Sequence, residues 1–274
     1  MSKHWTLRLK TAPALRLDLR ALQPSALAAL SHDEAARLPV LHGNERTSAG
    51  DWFDLSFTDA ETPALTLQGD LSRGDRIGWC LAGGTVHVEG DAGDYLGAGL
   101  QQGAVHTSGH AGVLAGCEMR GGRLEVAGNV GDFAGAPLPG SMEGMRGGVF
   151  IVRGHAGERL ADRMRRGSLI VCGDAGDFAA SRLVAGTVAI GGRPGAHLAH
   201  GMRRGSVVCF GTPALAPTFN PMQGDHRVIW QLLSRDLARL AGPHSPFAGL
   251  PARQPRRWAG DLGAGGQGEL WCLA

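Results

Sequence analysis

The sequence predicts an all-β chain built from short units that stack on one another, and three observations indicate it. Glycine accounts for 44 of the 274 residues, well above the usual share of about 7%. A unit of 19 residues recurs through the middle of the chain. Apolar residues alternate over a short segment of each unit. A fixed period in this range is typical of stacked repeats.

The units align on a first glycine that opens each of them. Five of the six steps between these glycines are 19 residues, and the third is 26, as though residues 137–143 had been inserted. Two further glycines follow six and nine residues later, and we expect the turn between them to need positive φ. The opening glycines are Gly84, Gly103, Gly122, Gly148, Gly167, Gly186 and Gly205.

Three columns of apolar residues accompany these glycines. They lie two and four residues after the opening glycine and three before it, beginning with Val86, Val88 and Leu81. Alternating apolar positions predict a half-buried strand. The same alternation in every unit predicts strands stacked in parallel at about 4.8 Å spacing, which bury a continuous apolar face that one unit cannot bury alone.

We therefore predict a right-handed parallel β-helix with coils of about 19 residues and seven to eight turns, over residues 64–217. Nineteen residues do not suit the left-handed hexapeptide helix, which needs a multiple of six, and parallel crossovers are usually right-handed. Residues 1–63 are predicted to form a small α/β cap, with two short helices in 24–38 and a capping box from Ser31 to Glu34.

The C-terminal segment, residues 218–274, is predicted to contain a helix and an extended tail. Asp225 is the expected N-cap, and Gly242 ends the helix. Since the end of a stacked sheet exposes unpaired strand edges, we expect this segment to cover the last coil. The apolar face of the predicted helix carries Ile229, Leu233, Leu237 and Leu240.

Composition limits the function. The net charge is only +2, which argues against a nucleic-acid-binding tail, and Lys3 and Lys10 are the only lysines. No apolar run approaches the ~20 residues of a membrane span, and the N-terminus lacks the apolar core of a signal peptide. Five scattered cysteines indicate reduced thiols. We expect a cytoplasmic protein without nucleic-acid or membrane partners.

Three motifs carry a family resemblance. The tandem Gly-x-x-x-x-x-Gly-x-x-Gly coils resemble the C-terminal β-helix of glutamate synthase. The Met-Arg-Gly junctions, such as Met119–Gly121 and Met145–Gly147, are similar to those of the C subunit of formylmethanofuran dehydrogenase. The ending Gly260–Leu262 followed by Gly265–Glu269 resembles that family's finish, although Gln267 stands where a lysine is usual.

The resemblance implies a function within a complex. In methylotrophic bacteria the corresponding complex is a formyltransferase/hydrolase, which moves a formyl group from tetrahydromethanopterin to methanofuran or an analogue and hydrolyses it to formate during formaldehyde oxidation. Its other parts are the amidohydrolase-like A subunit, the B subunit and the formyltransferase D subunit. The resemblance implies a docking subunit with no catalytic site of its own, no metal and no cofactor bound by this chain alone, in a complex that uses a methanofuran-type cofactor.

Other functions stay open at this point. The C subunit of a molybdenum or tungsten formylmethanofuran dehydrogenase is the first alternative, and the arginine-rich, alanine-rich composition favours the bacterial complex over it. A stand-alone β-helix enzyme or a glutamate synthase-like domain is the second. We find no Ser–His–Asp set or carboxylate pair at catalytic spacing, which favours a structural subunit.

The candidate binding residues form a column of arginines two residues before the opening glycines. They are Arg120, Arg146, Arg165 and Arg203, to which Arg166 and Arg204 add. Arginine pairs with carboxylates in bidentate geometry. The column is either a solvated face or a basic strip that docks a partner or the glutamates of the cofactor. We also expect the inserted residues 137–143 to protrude and contact another subunit.

Other chemically interesting residues have structural explanations. His87, His106 and Glu125 share a column, where we favour an outward polar ladder over a metal pair. His110 and His155 share another column with Asp and Asn, which indicates turn chemistry. Cys172 and Cys209 lie in predicted strands, and we expect buried small side chains rather than nucleophiles.

Overall fold

The computed structural model describes residues 2–211 and 213–273, and these residues are mostly β. Their strands form a 13-stranded sheet and a four-stranded sheet. The strands are β1 (Ser2–Leu9), β2 (Leu17–Asp18), β3 (Pro39–His42), β4 (Glu45–Ser48), β5 (Phe53–Ala60), β6 (Ala64–Gln68), β7 (Gly74–Asp75), β8 (Ala82–Glu89), β9 (Gln102–Thr107), β10 (Arg123–Val126), β11 (Arg146–Val152), β12 (Arg166–Val171), β13 (Thr187–Ile190), β14 (Arg204–Phe210), β15 (Asn220–Pro221), β16 (Arg256–Gly260) and β17 (Gln267–Leu273). The helices are α1 (Pro24–Leu27), α2 (His32–Ala36), α3 (Ala49–Trp52) and α4 (Arg227–Ala241), with 3-10 turns at Leu250–Ala252 and Leu262–Ala264.

The predicted parallel pairing of neighbouring units is present. The large sheet has the order β15-β16-β17-β14-β13-β12-β11-β10-β9-β8-β6-β1-β5, and β8 to β14 pair in parallel, each with the next strand along the chain. Val86 is opposite Val105 in this ladder, and Val105 is opposite Leu124. Equivalent residues of successive units therefore lie side by side.

Two further columns of backbone contacts link the same units. Isolated parallel bridges connect equivalent residues such as Ala92 and Ala111. In another column the amide of Gly116 donates to the carbonyl of Leu96 over 2.8 Å, and the amide of Ala180 donates to Leu160 over 2.7 Å. Each unit thus hydrogen-bonds to its neighbour along three segments, which satisfies backbone groups that would otherwise be buried without partners.

The three predicted apolar columns form the core. Their residues are at most 4% exposed, including Thr107, the one hydroxyl among them. Thr107 donates its hydroxyl to the carbonyl of Gly90 over 2.7 Å, so it is satisfied inside the core. Burying an aliphatic side chain contributes about 1.5–3 kcal/mol, and the repetition of these columns offsets the entropy lost by so many ordered glycines.

The expectation that the second and third glycines need positive φ is wrong for most units. Gly109 and Gly112 do not have positive φ; positive φ occurs at the opening glycines, such as Gly103 at 85°. A Cβ on Gly109 would lie 2.1 Å from an Asp91 carboxylate oxygen, and one on Gly112 would lie 2.1 Å from Asp94. These turn glycines are required because the preceding unit approaches too closely for a side chain.

The N-terminal residues cover one end of the ladder. Strand β1 pairs in parallel with β6 and antiparallel with β5, which ends the sheet. The predicted capping box is present: the Ser31 amide donates to Glu34 Oε2 over 2.8 Å, and the Glu34 amide donates to Ser31 Oγ over 3.4 Å. At the other end β17 pairs in parallel with β14, so the C-terminal segment covers the edge of the last repeat strand, as expected, and does so with a strand that continues the ladder.

Helix α4 does not cover the end of the ladder, which corrects the sequence-based expectation. It packs over the outer face of the later strands, where Ile151, Ile170, Ala189 and Val208 form an apolar cluster with it. The helix begins after His226 rather than after Asp225. Its buried residues are Trp230, Ser234, Leu237 and Ala241, and Ile229 is 50% exposed.

Candidate functional site

Two adjoining cavities on one side of the ladder form a groove lined by arginines. Their volumes are about 580 and 740 Å³, and both are bounded by Glu143, Arg165 and Arg203. Segment 263–267 of the tail closes the far side of the groove. The arginines that line it are Arg146, Arg163, Arg165, Arg166, Arg182, Arg203 and Arg204. We call this surface the arginine groove.

Stacking of the units brings these arginines together. Each arginine lies one, two or four residues before the opening glycine of its unit. Parallel pairing places equivalent positions of successive units side by side. Arg146 is opposite Arg166 in the ladder of β11 and β12. Arg165 and Arg203 precede β12 and β14 and are exposed. A column of like charges follows directly from the repeat.

The groove keeps a strong excess of positive charge. Glu143 Oε1 lies 3.0 Å from Arg165 Nη1, and Glu143 Oε2 lies 3.4 Å from Arg146 Nη1. Arg182 is paired with Asp162 at 2.6 Å. Within residues 2–211 and 213–273, no carboxylate forms an ion pair with Arg166 or Arg203. The groove can therefore accept further anionic groups, and carboxylates suit the planar guanidinium.

The structure brings together three of the four predicted binding residues. Arg146, Arg165 and Arg203 line the groove, whereas Arg120 is exposed outside it. Gln267, which stands where a lysine is usual in the resembled family, accepts a hydrogen bond from Arg204 Nε at 2.8 Å. Sequence analysis missed Arg163 and Arg182, since only their spacing of 19 residues points to them.

The histidine column is an outward polar ladder. The rings of His87 and His106 stack with centroids 5.3 Å apart and planes 14° from parallel. Burial lowers the pKa of His106, and the neighbouring His87 lowers it further. Glu125, on the next strand, is bound by Arg153 and Arg123. In the described part of the chain, no group of three or more His, Cys, Asp or Glu side chains is arranged to hold a metal ion.

The His110 and His155 column consists of turn contacts between units, as the sequence indicated. The His110 amide donates to Asp91 Oδ1 over 2.7 Å, and His110 Nδ1 in turn accepts from the amide of Asn129 over 2.9 Å. The same contacts continue at His155 and Asp174. Each side chain thus satisfies a backbone donor one unit further on. A second such column, which sequence analysis missed, includes Asp94, whose Oδ1 accepts from the amide of Val113 over 3.0 Å.

Three of the cysteines, Cys117, Cys172 and Cys209, have raised pKa values. Cys209 is buried on β14, 3.8 Å from Cys272 on β17, and the hydrogen bond between them together with burial raises the pKa of Cys209. Burial also raises the pKa of Cys172, and it raises that of Cys117 to about 12. A thiol must ionise to attack, so these three thiols are poor nucleophiles.

The stacked ladder and the arginine groove define a class: a repeat-built β-protein with a strongly basic surface. No family model matches the chain. Over 98% of its length it superposes on 99% of a chain in the X-ray crystal structure of the formyltransferase/hydrolase complex (FhcABCD) from Methylorubrum extorquens in complex with methylofuran, with a TM-score of 0.90 and 36% identity.

Curated relatives give the same result over a shorter segment. The chain is 38% identical over 86 residues to the C subunit of the formyltransferase/hydrolase complex Fhc of Methylorubrum extorquens. It is 33% identical over 85 residues to the C subunit of tungsten-containing formylmethanofuran dehydrogenase 2 of Methanothermobacter thermautotrophicus. These alignments span 32% of each relative's length. The chain belongs to the family of C subunits of formyltransferase/hydrolase complexes and formylmethanofuran dehydrogenases.

In the part of the chain that the structure describes, no helix is long and apolar enough to cross a membrane.

Proposed function

We propose that this chain is the structural and docking subunit of a bacterial formyltransferase/hydrolase complex. Such a complex transfers the formyl group of formyl-tetrahydromethanopterin to methanofuran or an analogue and hydrolyses it to formate. The observation that carries the proposal is the whole-chain likeness to a chain of the Methylorubrum complex, with 36% identity and a TM-score of 0.90. The dehydrogenase setting is supported less, by 33% identity over 85 residues against 38% over 86 residues for the Fhc subunit.

In the proposed role this chain is a rigid scaffold with docking surfaces, and the other subunits of the complex catalyse the reactions. The expected partners are the amidohydrolase-like A subunit, the B subunit and the formyltransferase D subunit. Residues 64–217 form a right-handed parallel β-helix in this proposal, between a cap of residues 1–63 and a C-terminal extension of residues 218–274. Three columns of hydrogen bonds between units support the β-helix.

The arginine groove is the proposed contact surface for carboxylates. Arg166 and Arg203 carry no acidic partner in the described residues, and Glu143 already shows how a carboxylate sits between Arg146 and Arg165. Two ligands fit: the glutamates of a methanofuran-type cofactor, or an acidic surface of a partner protein. The cofactor setting is supported by the neighbouring structure, whose complex contains methylofuran. The inserted residues 137–143 border the groove and remain the predicted contact with another polypeptide of the complex.

Co-purification from the native host tests the main proposal. We expect an amidohydrolase-like protein and a formyltransferase to co-purify with this chain in fixed stoichiometry. Recovery of the chain alone, or with unrelated proteins, would contradict the assignment. Turnover of a formylated carrier by the isolated chain would contradict the non-catalytic role.

A charge-removal series tests the groove. The triple substitution Arg146→Gln, Arg165→Gln and Arg203→Gln should weaken retention of the cofactor or assembly of the complex at least 10-fold. Arg120→Gln is the matched control because Arg120 belongs to the same sequence column but lies outside the groove. Equal behaviour of the triple variant and the control would remove the groove from the proposal.

A further inference from the structure

Another cavity lies within the C-terminal extension, away from the arginine groove. It has a volume of about 710 Å³ and lies between the start of α4 and segment 251–255. His226, Trp230, Arg253 and Trp271 are among the residues that line it. We call it the C-terminal cleft.

His226 and Trp271 of the lining belong to a polar cluster with Arg257 and Glu269, and this cluster has more donors than acceptors. Arg257 Nη1 lies 2.7 Å from His226 Nδ1, and Arg257 Nη2 donates to Glu269. Because a guanidinium can only donate, His226 Nδ1 accepts, and Nε2 carries the ring proton. Among the described residues, three buried nitrogens of this cluster have no hydrogen-bond partner: His226 Nε2, Arg257 Nε and Trp271 Nε1.

All three unpartnered atoms are N–H donors, so the partner that each lacks is a hydrogen-bond acceptor such as an oxygen atom. Trp271 is fully buried, and the Arg257 side chain is 11% exposed. The groups lie close together, since the Arg257 guanidinium is 5.1 Å from the Trp271 ring and the His226 ring is 6.2 Å from it. Buried donors are almost always paired in folded proteins. Three such donors in one cluster favour a ligand that supplies oxygen acceptors.

The electrostatics of the rim favour an acidic occupant. Arg227 is neutralised by Asp225 at 2.6 Å, and Arg257 by Glu269. Arg253, which also lines the cleft, forms no ion pair in the described ranges and lies over the Phe210 ring at 5.0 Å.

Exposed aliphatic residues lie on the solvent side of α4, the helix that forms one wall of the cleft. Val228 is 74% exposed and Leu232 is 69% exposed, one helical turn apart on α4. They follow Arg227 and Gln231, which line the cleft, and lie about 100° further around α4, on its solvent side. Apolar groups around a polar pocket are typical of protein contact surfaces, where a few buried anchors supply most of the binding energy.

We propose that the C-terminal cleft receives a carboxylate-bearing segment of another polypeptide of the complex. The carboxylate enters between α4 and segment 251–255 and accepts from the cluster of His226, Arg257 and Trp271. Apolar residues of the same segment cover Val228 and Leu232. This inference rests on the proposed function, because it needs a partner protein.

The scarcity of lysine makes a direct test possible. Lys3 and Lys10 are the only lysines of the chain, so Arg253→Lys places a single amine at the cleft. A zero-length carbodiimide reagent joins an amine to a carboxylate only when they are in contact. In the assembled complex we expect Lys at position 253 to cross-link to an Asp or Glu of a partner protein. Arg193→Lys, exposed in a turn of another unit, is the control and should not join that segment.

A binding measurement gives the second arm. The double substitution Val228→Glu and Leu232→Glu should weaken assembly at least 10-fold without lowering the melting temperature, because both side chains are exposed. Leu15→Glu, at a site 55% exposed, should assemble like the unsubstituted chain. Hydrogen exchange of residues 224–232 and 251–257 should slow on assembly.

The outcomes separate this inference from the proposed function. If the unsubstituted chain assembles, but the double variant binds equally well and no cross-link forms at position 253, the inference is wrong and the proposed function stands. Saturable quenching of tryptophan fluorescence by acetate or phosphate, with exchange unchanged on assembly, would make the cleft a small-anion site and overturn the inference. Failure of the unsubstituted chain to assemble overturns both.

Discussion

Glu143 Oε1 lies 3.0 Å from Arg165 Nη1, and this pair places an internal carboxylate in the arginine groove. Glu143 belongs to the inserted segment, next to Met142, which is 71% exposed. The acidic end of the insertion therefore neutralises part of the positive charge of the groove.

The Glu143→Gln substitution should increase the affinity of the groove for polycarboxylates. Removing the charge frees Arg146 and Arg165, and each lost competing contact is worth about 0.5–1 kcal/mol at a partly exposed site. We expect a roughly 2- to 5-fold lower Kd for a short poly-glutamate peptide by calorimetry. Glu158→Gln, an exposed glutamate outside the groove, should leave the affinity unchanged. Equal or weaker binding by the Glu143 variant would show that Glu143 is not a competitor.

A side chain at a turn glycine should destabilise the stack even where φ is ordinary. In Gly112→Ala the new Cβ would meet Asp94 Oδ1 at 2.1 Å and the backbone of Gly93 at 2.9 Å. Forced overpacking of this kind costs about 1–3 kcal/mol. Gly83→Ala is the matched control, because its Cβ meets nothing within 4 Å, and it should change the free energy of unfolding by less than about 0.5 kcal/mol. Denaturant unfolding of both variants measures the difference, and equal stabilities would contradict the packing explanation.

Protonation of His106 should oppose folding. Burial and the neighbouring His87 hold its pKa below the ordinary 6.5. A lowered pKa in the folded state means that the stability contribution is complete above pH 6.5 and is lost as the pH falls below that value. His87→Asn removes one of the causes, so the pKa of His106 should rise toward 6.5 in an NMR titration. His32→Asn, remote on α2, should not move it. A pKa of His106 that is unchanged in the His87 variant would rule out coupling through the stacked rings.

Arg153 should anchor α4 to the sheet. Its Nε donates to Glu125 Oε1 over 2.8 Å, and its Nη1 donates to the carbonyl of Ala241 at the end of the helix. Arg153→Met should lower the free energy of unfolding by about 1–3 kcal/mol at pH 7, since it leaves a partly buried carboxylate and a helix carbonyl without their donor. Arg123→Met removes a second partner of Glu125 but does not touch α4, so we expect a smaller loss.

The pH dependence of the same pair provides a check. Burial alone would raise the pKa of Glu125, but the hydrogen bonds and charges of Arg153 and Arg123 outweigh it and hold the pKa below the ordinary 4.5. The contribution of a carboxylate with a lowered pKa is complete above pH 4.5 and is lost as the pH falls below it. The difference between the Arg153 variant and the unsubstituted chain should therefore shrink between pH 5 and pH 3. A constant difference would indicate that packing, not charge, dominates.

Much of the ladder could be predicted because the same residue types recur at fixed positions of each 19-residue unit. The columns headed by Val86, Val88 and Leu81 are regular in residue type, so burial could be assigned from spacing alone. Left-handed backbone at Tyr95, Leu114 and Phe133 was missed, because residue type varies at this corner and tertiary contacts impose the conformation. The third column of hydrogen bonds depends on that corner and was missed with it.

The position of α4 was misjudged although the sequence contained a signal. In the column three after the opening glycine, His87, His106 and Glu125 are polar, whereas the later units carry Ile151, Ile170, Ala189 and Val208. A face that changes from polar to apolar along a stack must be covered on its apolar part.

The arginine groove was partly predicted because stacking places equivalent positions of successive units side by side. Its completion by Glu143 and the tail depends on contacts between segments distant in sequence.

Hydrogen bonds that join each unit only to its neighbours have an evolutionary consequence. A duplication or loss of one 19-residue unit would lengthen or shorten the molecule by about 4.8 Å. The N-terminal and C-terminal segments would keep their contacts with the strands at the two ends. Related chains can thus change the distance between their two ends in steps of one unit, without a change in the packing of the core.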